Sequence, residues 1–242
     1  MSHIVAKRSM GVLNKNTNTM KVYKYRSVLH RDLLTLVNNQ IYASSVAELN
    51  DPSECMFDTS DRFANEEMEP EYYMALEDSK IQIRKETDKI KSNYGIISFC
   101  KSKTNELMWA YYGNDHKGFC IEYDIDILQK QMFSCYLLEV KYQSSLPTYN
   151  FRKCIFNHHN TIKSSLGVKS TFWAHEKEMR LIVEGQGLKT IPTEAVTGIY
   201  FGLRMPESDK ELTKSSLASR DIKYYQMKLK PNSYLLEAEL IK

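Results

Sequence analysis

The sequence predicts a single α+β domain built on a largely antiparallel sheet, and three observations predict it. Short β-type runs and helical stretches follow one another without a βαβ rhythm. No Pro-, Gly- or Ser-rich linker and no internal repeat divides the chain. The 242 residues, 42% apolar and 26% charged, suit one core of ordinary size in the soluble globular class.

The elements can be justified in order. Residues 1–20 are polar and basic with no apolar stretch, so they read as a flexible lead-in rather than a secretory signal, and the domain is expected over 21–242. Val22–Ser27 is a β-type run in which Tyr23 and Tyr25 alternate with Lys24 and Arg26, one pair inward and one outward. Leu29–Val37 carries a helical spacing of leucines and stops at Asn38-Asn39. Ile41–Ser44 reads as a strand. Asn50-Asp51-Pro52 reads as a turn or a helix cap with proline just inside. Residues 61–93 are charged and lack a β-rich window, so mainly helix is expected, with Tyr72, Tyr73, Leu76, Ile81, Ile83 and Ile90 along one stripe.

Further along, Gly95–Cys100 is a buried strand, Asn105–Tyr112 a short helix ended by Gly113, and Gly118–Asp124 an alternating strand. Ile125–Gln131 is helical and Leu137–Tyr142 a strand. Residues 150–173 read as helix, Glu178–Val183 as strand, and Gly185–Leu188 as a turn. Val196–Phe201, Ile222–Leu229 and Tyr234–Leu236 are strands, with Ser208–Ala218 a helix between the first two.

Several function classes fall away. No 18-residue apolar run exists, so no transmembrane helix is expected, and a net charge of +3 does not by itself indicate nucleic-acid binding. The five cysteines have neither zinc-knuckle nor CxxC spacing and read as small buried hydrophobes of a reducing cytoplasm. The phosphate-binding G-x-x-x-x-G-K-[ST] and G-x-G-x-x-G loops and the G-x-S-x-G elbow are missing. His175-Glu176-Lys177-Glu178-Met179 has Met where a zincin needs its second His, and adjacent His158 and His159 diverge on a helix. No metal site is expected.

Four segments are rich in chemistry: Tyr23–Ser27, Asn50–Glu54, Leu107–Gly113 and Phe172–Arg180. Each has a plain structural reading. A strand Arg is usually solvated, Asn-Asp-Pro is a common turn, Trp109 and Tyr112 share one helix face, and Glu176, Glu178 and Arg180 can form an edge ion-pair ladder. Together, in order, they resemble an uncharacterised bacterial family, a domain of unknown function. Its pattern is a tyrosine-rich first strand, Asn-Asp-Pro-x-Glu, Trp-x-x-Tyr and Trp-x-x-Glu-x-Glu-x-Arg.

Glu176-Lys177-Glu178 would place two carboxylates on one face of an extended segment. This late E-x-E also resembles the catalytic end of arginine-type ADP-ribosyltransferases. That resemblance implies a split, mainly antiparallel sheet and NAD as substrate. Arg26 matches the first-strand residue that holds the ribose and phosphates. Glu178 matches the last Glu, which stabilises the oxocarbenium-like transition state, and Glu176 the one two residues earlier. Tyr111 or Tyr112, after Trp109, would supply the aromatic wall. A Ser-Thr-Ser in mid-chain has only the loose substitutes Ser98-Phe99-Cys100 and Ala43-Ser44-Ser45.

The implied activity is ADP-ribosyl transfer or NAD cleavage, with a bacterial toxin or antiphage effector as the implied setting. The acceptor stays open: protein, nucleic acid, small molecule or water. If the segments form one site, Arg26, Asn50, Trp109 and Glu178 converge on one pocket, with Tyr25 beside them and Trp109 as a buried brace. Two alternatives stand beside this reading. Asp51, Glu54, Glu176 and Glu178 offer carboxylates for a Mg²⁺-dependent nuclease, although the usual E-x-K spacing is missing. An aromatic pocket of Tyr23, Tyr25, Trp109 and Tyr112 would suit a non-catalytic nucleotide- or peptide-binding module.

Overall fold

The first strand, Lys21–Arg26 (β1), pairs along its whole length with only one neighbour, and the candidate site follows from that. The computed structural model describes residues 19–27, 29–58, 70–132, 135–148 and 158–241. Most of the expected lead-in and the charged stretch 61–69 lie outside these residues. In chain order the elements are β1, α1 (Leu29–Val37), β2 (Gln40–Ala43), α2 (Pro70–Asn93), β3 (Tyr94–Cys100), α3 (Glu106–Tyr112) and β4 (Phe119–Asp124). Then come α4 (Ile125–Gln131), β5 (Tyr136–Glu139), β6 (Lys141–Gln143), α5 (His158–Leu166), β7 (Val168–Ser170) and β8 (Glu178–Glu184). The chain continues with β9 (Gly187–Thr190), β10 (Val196–Phe201), α6 (Glu207–Ser216), β11 (Lys223–Leu229) and β12 (Leu236–Leu240).

An eight-stranded sheet runs in the order β12-β11-β10-β4-β1-β3-β8-β5. Every pairing in it is antiparallel except β10 with β11, which α6 joins as a βαβ unit that the sequence reading did not anticipate. β1 pairs with β4 from Lys21↔Asp124 to Arg26↔Phe119. With β3 it meets only at Tyr23↔Cys100. β3 is instead paired with β8 from Tyr94↔Glu184 to Cys100↔Glu178. The sheet therefore parts between β1 and β3.

Strand alternation divides the core. Val22, Ile97, Phe99, Phe119, Ile121, Leu181, Val183 and Ile199 share one cluster with Leu33 and Leu36 of α1. On the other face the two halves of the sheet have separate clusters. Tyr23, Tyr25, Cys120, Tyr200 and Met227 gather around Trp109 of α3. Ile96, Leu138 and Ile182 pack with Ile90 of α2 and with Ile162 and Leu166 of α5.

Some expectations are corrected locally. Along α2, Ile90 is buried but Ile81 is exposed, so the expected stripe does not hold there; the side chains of Tyr72, Tyr73 and Leu76 lie outside the described set. The helix expected to reach Trp173 ends at Leu166, where the Gly167 N–H caps the Lys163 carbonyl at 3.0 Å. β7 and a 3-10 turn over Thr171–Glu176 follow. Gly187 and Leu188, read as the end of a turn, instead open β9, which pairs with β2. Of the cysteines, Cys55, Cys100 and Cys120 are buried free thiols and Cys135 is half-buried; Cys154 lies outside the described residues. Among these residues, no helix is long and apolar enough to cross a membrane.

Candidate functional site

Where β1 leaves β3, a cavity of about 210 Å³ opens. Its walls include Lys24, Tyr25 and Arg26 of β1, Ser98 and Cys100 of β3, Asn50, Tyr112, Lys169, Glu176 and Glu178. A wider groove of about 840 Å³ adjoins it, sharing Arg26, Ser44, Glu48, Asn50 and Tyr112. Six of the eight residues singled out in the sequence line the inner cavity: Tyr25, Arg26, Asn50, Tyr112, Glu176 and Glu178.

They do not arrive from one face. By strand alternation Lys24 and Arg26 leave β1 on the side of Val22, where Arg26 Nη1 stands 3.8 Å from Asp32 of α1. Glu178 and Arg180 leave β8 on the side of Ile182. The two sets share a cavity because the strands part. Lys24 and Arg26 face this cavity, as the pocket reading expects of Arg26, and not open solvent, as the plain reading of a strand Arg has it.

Trp109 and Tyr111 do not line it. Trp109 is fully buried. Its indole N–H donates to the Lys103 carbonyl at 2.9 Å, and Tyr25 meets its ring edge-on with centroids 5.1 Å apart. It braces the β1 wall from behind. Gly113 allows this packing, because a Cβ there would sit 2.8 Å from the Trp109 ring and 2.7 Å from its carbonyl oxygen. Tyr111 is 66% exposed and packs on His175. Neighbours on a helix point about 100° apart, so of the two tyrosines only Tyr112 can face the cavity.

The Tyr112 hydroxyl donates to Glu176 Oε1 at 2.5 Å and accepts from Asn50 Nδ2 at 2.9 Å. The N-terminus of α3 is tied to the same region. Asn105 caps the helix by accepting from the Met108 N–H, and its amide donates to the His175 carbonyl. Burial, and then Glu176, push the Tyr112 phenol well above its usual range, so it stays a hydroxyl donor at neutral pH.

Glu176 and Glu178 are not consecutive same-face positions of one strand. Glu176 ends the 3-10 turn, and Lys177 between them takes a left-handed φ of 46°. That kink still turns both carboxylates to Lys169, whose Nζ lies 2.5 Å from Glu176 Oε2 and 3.4 Å from Glu178 Oε2. Arg180, with no exposed surface, clamps Glu178 through Nε at 2.8 Å and Nη2 at 3.0 Å. The same guanidinium forks onto Glu54, with Nη1 2.8 Å from Oε2 and Nη2 on Oε1. Three carboxylates thus face two cations, a net of −1. Burial alone would raise the Glu178 carboxyl. Arg180, helped by Lys169, overrides it and holds Glu178 at about 2.

Lys169, Glu54 and Arg180 complete a cluster that the sequence reading left unassembled. Glu54 was legible in Asn50–Glu54. There the expected helix cap is a turn over Pro52–Cys55, with Asp51 Oδ1 accepting from the Ser53 N–H at 2.9 Å. Cys55 leaves the turn at a left-handed φ of 60°. Lys169 gave no sequence signal, since it fell in a presumed helix. The nuclease alternative finds Glu54, Glu176 and Glu178 together, but packed around Arg180 and Lys169. Among the described residues no group of three or more His, Cys, Asp or Glu could hold a metal ion.

The fold and the site together define a mixed α/β protein with a charged cleft at the parting of its sheet. Residues 108–181 match the model of a family described as "Protein of unknown function (DUF2971)". The match takes in Trp109, Tyr112, Lys169, Glu176, Glu178 and Arg180, and leaves Arg26 and Asn50 outside. It is thus narrower than the resemblance read from Val22 onward. No curated protein and no solved structure matches the chain.

Proposed function

We propose that the cleft binds NAD and breaks its nicotinamide–ribose bond, passing ADP-ribose to an acceptor or to water. The observation that carries this reading is the convergence of a basic wall, Lys24 and Arg26, and a carboxylate wall, Glu176 and Glu178, on one cavity. NAD has matching parts: an anionic pyrophosphate and a pyridinium cation. The inner cavity is below the roughly 300–1,000 Å³ of a drug-sized site. Only one end of a dinucleotide would enter it, and the adjoining groove would take the rest.

As the C–N bond breaks, nicotinamide leaves with the electron pair and positive charge grows at the ribose anomeric carbon. A preorganised carboxylate beside that carbon stabilises the charge, as in glycoside hydrolysis. Arg180 keeps Glu178 ionised and fixed, while Tyr112 and Lys169 orient Glu176. The reading favours the oxidised dinucleotide, because the reduced ring carries no charge for the carboxylates to meet.

One observation favours a second reading. Both Glu178 oxygens are already engaged by Arg180, and one also by Lys169. A nucleotide-binding module without turnover would need that cluster for structure alone. Nicotinamide release from NAD, measured for the wild type and for Glu176→Gln and Arg26→Ala, separates the two. Release that falls about 10²–10³-fold in Glu176→Gln supports cleavage. Binding of NAD without release supports the module, and neither binding nor release with any acceptor class refutes both.

A further inference from the structure

Lys24 enters the reading above only as part of the basic wall of the cavity, and its own contacts say more. Its Nζ donates to the Ser98 carbonyl at 2.8 Å and lies 5.7 Å from the centre of the Phe99 ring. Among the described residues, no carboxylate comes within 4.0 Å of it. Two positions along β1, Arg26 projects from the same strand face. Its Nε is buried and has no hydrogen-bond partner. Two basic side chains thus stand side by side at one cavity with donors to spare.

We propose that Lys24 and Arg26 form an oxyanion subsite whose occupation is coupled to the uptake of one proton. The inference deepens the NAD reading, since it assigns the pyrophosphate end, but it does not depend on cleavage. The ligand class is a non-titrating oxyanion: a phosphodiester, a pyrophosphate diester or sulfate.

The surroundings of Lys24 set the direction of the coupling. Facing the cavity with it are Arg26 of its own strand, Tyr23 and Tyr25, Cys100 of β3, Tyr112 of α3, Glu48, and Lys169, Glu176 and Glu178. Asp32 reaches toward Arg26 from α1. Burial, and then Arg26, push the Lys24 ammonium down to about 7, against the opposing pulls of Glu178 and Asp32. An anion between Lys24 and Arg26 would reverse the sign of the nearest charge that Lys24 meets, and the ammonium form would be favoured again.

The test is calorimetric titration of the full chain with sodium sulfate at pH 8. Sulfate does not titrate there, so any proton taken up goes to the protein. Tris and triethanolamine, two cationic buffers of different ionisation enthalpy, report the proton count. The expected result is close to one proton per sulfate, with affinity falling roughly tenfold per pH unit above the empty-site value. Lys24→Arg should bind sulfate without proton uptake and with a flat pH profile, because a guanidinium stays charged. Lys24→Met should bind at least tenfold more weakly, also without uptake. Sulfate binding without proton uptake in the wild type, undiminished uptake in either variant, or no sulfate binding at all overturns the proposal. NAD in the same experiment keeps the two readings apart. NAD cleavage without proton-coupled anion binding defeats this inference alone. Proton-coupled sulfate binding without NAD binding or cleavage defeats the NAD reading alone.

Discussion

Glu178→Gln is the substitution in which structure and function compete most sharply. If Glu178 stood free in the cleft, the change would keep its shape and leave stability almost untouched. It is instead 4% exposed and clamped by Arg180. Its carboxyl is held at about 2 when folded, against 4.5 ordinarily. At about 1.4 kcal/mol per pH unit, that gap amounts to about 3 kcal/mol of native-state stability at pH 7. This agrees with the roughly 3–5 kcal/mol lost when one partner of a buried pair is removed. Because the folded value is depressed, the contribution is present above about pH 5 and is lost as pH falls through about 2. Urea unfolding of wild type and Glu178→Gln at pH 7 and pH 3 measures it. The difference should be about 3 kcal/mol at pH 7 and less than half of that at pH 3. A difference below about 1 kcal/mol at pH 7, or one that does not shrink in acid, refutes the argument.

Other predictions rest on single contacts. Trp109→Ala should cost about 3–5 kcal/mol in urea unfolding, because the indole is fully buried behind Tyr25. Tyr112→Phe should cost roughly 1–3 kcal/mol, and its combination with Asn50→Ala should cost less than the sum of the two, since both remove the Asn50–Tyr112–Glu176 chain. Lys24 titrates at about 7 in the folded protein and 10.5 ordinarily, so between those values the unfolded chain binds the extra proton. Wild-type stability should therefore rise from pH 7 to pH 10 relative to Lys24→Met, and parallel curves would contradict this.

Reading residues in order went far. Local alternation and helix spacing marked β1, α1, β3, α3, β4, β8 and β10 close to their observed bounds, because those patterns report which side of an element meets the core. Six of eight site residues were recognisable because they sit beside strong local markers: a strand start, an Asn-Asp-Pro turn, a Trp-x-x-Tyr face, an E-x-E. Long-range geometry was another matter. Nothing near Lys169 announces that its ammonium would meet Glu176 and Glu178 across a left-handed Lys177, since that contact depends on Gly167 ending α5 and on β7 turning the chain back. Nothing near Glu54 announces a partner 126 residues away in Arg180. Lys24 looked like an outward-facing strand lysine because alternation says which side a residue takes and not what lies there. It faces a cavity because β3 is paired through its whole length with β8 and meets β1 at one residue pair, a choice of strand partner settled by the assembled sheet and by no short stretch of sequence.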